Sequence, residues 1–530
     1  MIVSSISAAA SERGYVHMLN RRILLMGGAT VAAVGGVGDF EPAAAASMEA
    51  SSIEVDLTKV TGPLDHIWSK CAGSDRAAIS LRGQWRDDLS RFHKEAGLER
   101  VRFHGIFSDE LGVYAPSIMS PKKTPNWQNV DRVYDGLIER GVKPYVELDF
   151  MPKFLASGNA TFGFYKGNTS PPAVMSDWSD FIKAFVQHLI ERYGLSEVRQ
   201  WPFEVWNEPN LPFFWTGKQA GYFELYKATA LAVKSVNPTL IVGGPATSTI
   251  GWIPEFLAYC SENALPVDFV STHLYPADDQ TQIFGTKNAY PQADVIPQGM
   301  KKVRAQIDQS PFRGTPLWLS EWSSDSPAII AHVIAGCLDT CQVISQWTFT
   351  DTYEELGVAS YVLKEGDNGF GMIAACGIPK PQFNTYKLLH RLGPQRLATS
   401  EGPVLASRRA DGTVAVAVWN LAEVGQTGGI PGASFTRTVN GTTKTMRVSL
   451  KGARPGQDVK VSYVDRERGS PYPAWRRLGS PQYPTLAEIA AIRGSAELQE
   501  PQTAKLDRHC GLVLTLPPEG VALIEICPRP

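Results

Sequence analysis

From about Leu64 to Gly393, short apolar runs alternate with longer segments in which apolar residues recur at helical spacing. The runs are His66–Cys71, Arg100–His104, Lys143–Leu148, Pro202–Trp206, Leu240–Gly244, Asp268–Thr272, Leu317–Ser320 and Val343–Thr348. Between them, stretches such as Asp177–Tyr193 and Gln219–Val236 gather apolar residues on one face and charges on the other. Eight strands alternating with helices over roughly 330 residues predict an α/β fold, a (β/α)8 TIM barrel spanning residues 64–393. A doubly wound open sheet is the competing architecture. It would carry a Gly-rich dinucleotide turn after an early strand, and none of the early strands is followed by one.

Beyond Gly393 the period shortens to two. Gly412–Trp419, Thr445–Leu450, Asp458–Tyr463 and Gly511–Leu516 alternate and are separated by Gly and Pro clusters, which predicts an accessory β-sandwich over residues 394–530 with a helical insertion near Thr485–Leu498. Ile53–Leu57 alternates too, and within residues 47–63 it reads as a strand that joins the sandwich from before the barrel. Residues 1–46 read differently again: Asn20-Arg21-Arg22 precedes a Gly/Ala-rich run from Ile23 to Gly38, and Ala43 to Ala46 offers a small-residue cleavage site. The run is too short to span a membrane. Paired arginines before such a run resemble a twin-arginine bacterial export signal, with a general secretory signal as the alternative, so the expected destination is periplasmic or extracellular.

Composition narrows the partners. A chain of 530 residues exceeds the usual size of one compact core, in keeping with a large domain and a smaller one. Lys and Arg number 51 against 53 Asp and Glu, and no basic run forms an electrostatic footprint for nucleic acid or an anionic membrane, so a neutral substrate fits the balance. The seven cysteines form no CxxC pair and no zinc-like cluster with histidine. Cys337 and Cys341 stand at i, i+4 on an expected helix, where small buried residues are the plainer reading.

Catalytic groups of such barrels come from the C-terminal ends of the strands, and those positions are unusually polar here. The second run ends Arg102-Phe103-His104, the fourth leads through Trp206-Asn207 to Glu208, and the sixth runs into His273-Leu274-Tyr275. The seventh ends at Glu321, and the eighth leads through Trp347 to Asp351 and Glu354-Glu355. Two carboxylates delivered by separate strands are what hydrolysis of a glycosidic bond needs. Glu208, flanked by Trp206 and Pro209, suits the acid/base, because partial burial and an ionised Glu321 nearby would raise its pKa; Glu321 then serves as the ionised nucleophile. Asn207 is placed to donate to a substrate 2-OH, Tyr275 to orient the nucleophile, and Arg102 and His104 to polarise the same floor. A single Asn-Glu-Pro is commonly just a helix N-terminus. Joint occurrence at successive strand ends favours a site. Asp109-Glu110 and Glu354-Glu355 stay ambiguous, since adjacent carboxylates are commonly solvated loop charges.

These motifs resemble glycoside hydrolase family 39, the β-xylosidase and α-L-iduronidase group. The matching stretches are Arg100 to Tyr114, Phe203 to Leu211, Ser271 to Pro276, Leu319 to Trp322, and Trp347 to Asp351 with Glu354-Glu355 and Gly369-Phe370-Gly371. The resemblance implies a retaining, metal-independent exo-glycosidase that needs no cofactor, with Glu208 as acid/base and Glu321 as nucleophile. It further implies substrate contacts at His104, Asn207, His273, Tyr275, Trp347 and Glu355, with Phe370 in the matching Phe-Gly segment. Xylosides or xylo-oligosaccharides are the expected substrates. An iduronidase-, galactosidase- or glucosidase-like pocket remains the alternative, as does a non-catalytic glycan-binding protein on the same scaffold. Members are often oligomeric, so the resemblance also allows a homo-oligomer.

Overall fold

The computed structural model describes residues 51–528, apart from 118–119, 356, 360, 365–368 and 426–436. The segment read as an export signal lies outside the described residues. Eight parallel strands close into a barrel: Cys71–Arg76, Arg100–His104, Lys143–Glu147, Pro202–Glu204, Ile241–Thr247, Phe269–His273, Leu317–Trp322 and Val343–Gln346, each beside the next and the eighth beside the first. The two amphipathic stretches become helices Met175–Tyr193 and Lys218–Val236, with Trp178, Phe181, Ile182 and Phe185 of the first buried.

The first strand lies five residues later than its apolar pattern suggested. Ile67 and Trp68 are buried in a turn beneath the barrel, and the strand itself is Cys-Ala-Gly-Ser-Asp-Arg, all buried. Its polarity hides it from a search for apolar alternation, and its small residues have a purpose. A Cβ on Gly73 would lie 2.5 Å from Cε3 of Trp347, so only glycine lets that indole lie across the strand. The helix expected across both Cys337 and Cys341 ends at Cys337, because the chain must turn there to enter the eighth strand; both thiols are buried.

Nine further strands hydrogen-bond in one continuous sheet, mostly antiparallel. Ser51–Pro63 sits inside it, antiparallel to Gln395–Thr399 and parallel to Lys444–Lys451. Strands near opposite ends of the sheet, Asp458–Val464 and Gly511–Leu516, contribute Val459, Val461, Leu512 and Leu514 to one apolar cluster. Val521–Ile526 is buried throughout and runs between Asp458–Val464 and Val414–Trp419. Within the helical insertion, Leu486–Ser495 starts from a capping box made by Thr485 and Glu488. Among the described residues no helix is long and apolar enough to cross a membrane.

Candidate active site

The strand ends converge on one buried guanidinium. Arg102 on the second strand is fully buried and its planar fork is occupied along its length. Nε donates to Oε2 of Glu204 (2.6 Å), Nη1 to Oε2 of Glu321 (3.2 Å) and Nη2 to Oδ1 of Asn207 (2.8 Å), and Nη2 lies 2.6 Å from Oε2 of Glu147. Burial alone would lower the Arg102 pKa, but the carboxylates of Glu147, Glu204 and Glu321 outweigh it and raise it well above the ordinary value. Because a guanidinium can only donate, the Asn207 amide must turn its oxygen toward Arg102. That leaves the Asn207 NH2 buried with no hydrogen-bond partner among the described residues.

Glu208 reaches the site through an abrupt turn. The fourth strand stops at Glu204, and Trp206 (φ 71°) and Glu208 (φ 39°) both take the left-handed conformation that costs a non-glycine residue ~1–3 kcal/mol. Neighbouring bonds hold it there. Glu208 N–H donates to the carbonyl of Ala246 (2.9 Å), the Trp206 indole to the carbonyl of Phe214 (2.9 Å), and the Asn210 amide exchanges bonds with the Ser248 backbone (2.9 Å each).

Glu321 stands one residue before the end of the seventh strand, paired in register with His273 on the sixth. Its Oε1 accepts from the Tyr275 hydroxyl (2.6 Å) while Oε2 faces Arg102. Burial first, then the negative charge of Glu321, pushes the Tyr275 phenol well above its usual range, so it stays a donor. His273 Nδ1 lies 3.1 Å from Oε1 of Glu208 and 3.7 Å from Oε2 of Glu321, and its Nε2 is buried with no hydrogen-bond partner among the described residues. One oxygen of Glu208, one of Glu321 and a ring nitrogen of His273 all lie within 4.8 Å of one another. A metal would find Glu321 engaged at both oxygens by Tyr275 and Arg102.

Beside this pair stands a second ionic group. His104 Nδ1 lies 2.6 Å from Oε1 of Glu147 and its Nε2 3.8 Å from Oε1 of Glu355. Burial would lower the His104 pKa, but the Glu147 carboxylate overrides it and lifts it to about 10. Glu147, despite burial, is drawn down to about 2 by Arg102 and His104. Asp149 goes the other way: burial and the charge of Glu147 raise it well above a carboxylate's usual value, so its carboxyl stays protonated beside Glu147. Burial likewise pushes Glu355 up to about 8, and it accepts from the Tyr353 hydroxyl (2.8 Å).

The structure brings Arg102, His104, Asn207, Glu208, His273, Tyr275, Glu321, Trp347 and Glu355 together, with Trp347 against His104 (ring centroids 4.6 Å). Phe370 sits one layer out, half-buried and edge-on to Tyr353 at 5.9 Å. The ambiguous acid pairs resolve. Glu354 is bound by Arg76 (3.1 Å) and Arg82, Glu110 by Arg76 (2.8 Å), and Asp109 accepts from the Lys153 backbone (3.1 Å), so only Glu355 faces His104. Asp351 pairs with the buried Lys380 (2.5 Å). Three participants escaped the sequence reading: Glu147, Asp149 and Glu204. Each had a signal, a carboxylate inside or at the end of an otherwise apolar run.

Known proteins place this arrangement in context. The profile of glycosyl hydrolases family 39 matches residues 51–505. A β-xylosidase of Geobacillus stearothermophilus is 34% identical over 483 residues, 87% of this chain and 92% of that protein. An α-L-iduronidase of Mus musculus is 24% identical over 82% of this chain and 73% of its own length. Among solved structures, a monomeric β-xylosidase from Caulobacter crescentus CB15 superimposes with a TM-score of 0.79 at 33% identity, covering 91% of this chain and 100% of that one.

Proposed function

Because the chain belongs to glycosyl hydrolase family 39, and is thus a glycoside hydrolase, we propose that it is a retaining exo-acting β-D-xylosidase with Glu208 as acid/base and Glu321 as nucleophile. The observation that carries the reading is the spacing of the two carboxylates. One oxygen of Glu208 lies within 4.8 Å of one of Glu321, a close approach that suits the ~5–5.5 Å between carboxyl groups of retaining enzymes better than the ~6.5–9.5 Å that leaves room for a water in inverting ones. In the first step an oxygen of Glu321 bonds to the anomeric carbon while the bond to the leaving oxygen breaks and Glu208 gives that oxygen its proton. In the second, Glu208 takes a proton from water, the water oxygen bonds to the anomeric carbon, and Glu321 departs as a carboxylate. Arg102 and Tyr275, which hold its two oxygens, stabilise that carboxylate as it re-forms. The unpaired Asn207 NH2 is the donor for the sugar 2-OH, a bond that strengthens as charge develops.

The charges also bear on which sugar enters. Arg102 and His104 are each matched by buried carboxylates, so an anionic glycone such as iduronate finds neither of these cations free. Neutral xylose suits this floor. Export by the segment at residues 1–46 belongs to the same proposal and rests on sequence alone. Initial rates on aryl β-D-xyloside, α-L-iduronide, β-D-galactoside and β-D-glucoside test it. Preference for the xyloside is expected. Turnover of another sugar alone would refute the glycone, and silence on all four would favour a glycan-binding protein.

A further inference from the structure

Arg102 does not reach the nucleophile unaided. Its Nε edge is gripped by Glu204 (2.6 Å), and the other oxygen of Glu204 accepts from the Tyr145 hydroxyl (2.9 Å). Arg102, Glu204 and Tyr145 are all buried, on three adjacent strands of the barrel. Register explains the convergence: Arg102 pairs with Tyr145, and Glu204 with Glu147, so the groups stack in two neighbouring layers of the interior. A buried carboxylate is expensive to hold, and replacing such a pair by apolar residues is commonly neutral or stabilising, so the fold alone gives little reason for it.

We propose that Glu204 is a positioning residue for the nucleophile: clamped between the Arg102 guanidinium and the Tyr145 phenol, it fixes the angle at which Arg102 meets Glu321 and offsets part of the positive charge presented there. This rests on the reading of Glu321 as nucleophile. The groups facing Arg102 are Glu147 and Tyr145 of the third strand, Glu204 and Asn207 of the fourth and its loop, and Glu321 of the seventh. Those facing Glu321 are Tyr275, His273 and Glu208, with Glu355 beyond. The Cys71 thiol, pushed up to about 12 by burial, and the Tyr222 phenol, raised well above its usual range by burial, complete the surroundings of Glu204 and stay neutral.

Two substitutions separate charge from position. Glu204→Gln keeps an oxygen for Nε and removes one negative charge. The Arg102 charge then acts more strongly on Glu321, which releases its proton more readily and attacks less well. The acid limb of kcat/KM is expected to move down by roughly one pH unit, with kcat/KM at the optimum lowered about tenfold. Glu204→Ala frees the guanidinium and is expected to lower kcat/KM about tenfold further. A purely structural carboxylate would change Tm and leave the acid limb in place. An unmoved limb in folded Glu204→Gln protein overturns the proposal, and so does failure of both variants to fold, which would assign Glu204 to the fold. Near-wild-type turnover by Glu321→Ala would instead overturn the nucleophile assignment on which the proposal stands.

Discussion

The mouth of the barrel and the interior of the nine-stranded sheet are equally shielded from water, yet they are filled with opposite materials. In the sheet, Val416, Val418, Val448, Leu450, Leu514 and Ile524 are buried against one another, the usual way an interior is stabilised. In the barrel, the same depth holds Arg102, His104, Glu147, Asp149 and Glu204, whose desolvation must be offset by ion pairs and hydrogen bonds. The sheet therefore reports where stability is generated, and the barrel mouth where it is given up for a fixed pattern of charge. Substitutions in the two regions should fail in different ways.

The largest effect is expected at Glu208. Glu208→Ala should lower kcat/KM on an unactivated disaccharide roughly 10²–10⁴-fold, and far less on an aryl glycoside whose leaving group needs no proton. Azide should restore activity with retention of configuration. Near-wild-type rates on the disaccharide would exclude Glu208 as the acid. Next comes the sheet: Ile524→Ala should cost about 2–5 kcal/mol in denaturant unfolding while the folded protein keeps its kcat, and a parallel loss of kcat would show that the two regions are not separable.

The smallest effect concerns pH. The Glu355 carboxyl releases its proton near 8 when folded and near 4.5 in the unfolded chain, so between those values the folded state binds more protons and stability falls as pH rises. Asp75 and Asp88, pushed up to about 6 and about 7 by burial, act in the same direction. Glu355→Gln removes its own share of this slope. Its Tm should decline less than that of the parent between pH 5 and pH 8, and parallel curves would contradict the assignment.

Much of this was legible in the sequence because the barrel strands carry apolar residues between polar ends; Arg100–His104 and the exits at Glu208 and Glu321 stood out for that reason. What escaped notice was polar matter inside the strands. Cys71–Arg76 lacks an apolar pattern because Gly73 must clear Trp347 and Asp75 and Arg76 belong to an ionic network, and Glu147 and Glu204 looked like ordinary strand residues until register stacked them around Arg102. Val521–Ile526 escaped as well, since a strand buried throughout has no alternation to show. Glu354 and Glu355 look alike as residues; the family resemblance singled out Glu355, and the structure gives the reason, since Arg76 and Arg82 claim Glu354.

The central claim is a covalent bond at Glu321. An aryl 2-deoxy-2-fluoro-β-D-xyloside with a good leaving group should inactivate the protein and leave one fluoroxylosyl group on the peptide containing Glu321, identified by digestion and mass spectrometry. A label on any other residue, or steady turnover giving xylose of inverted configuration, would contradict the account.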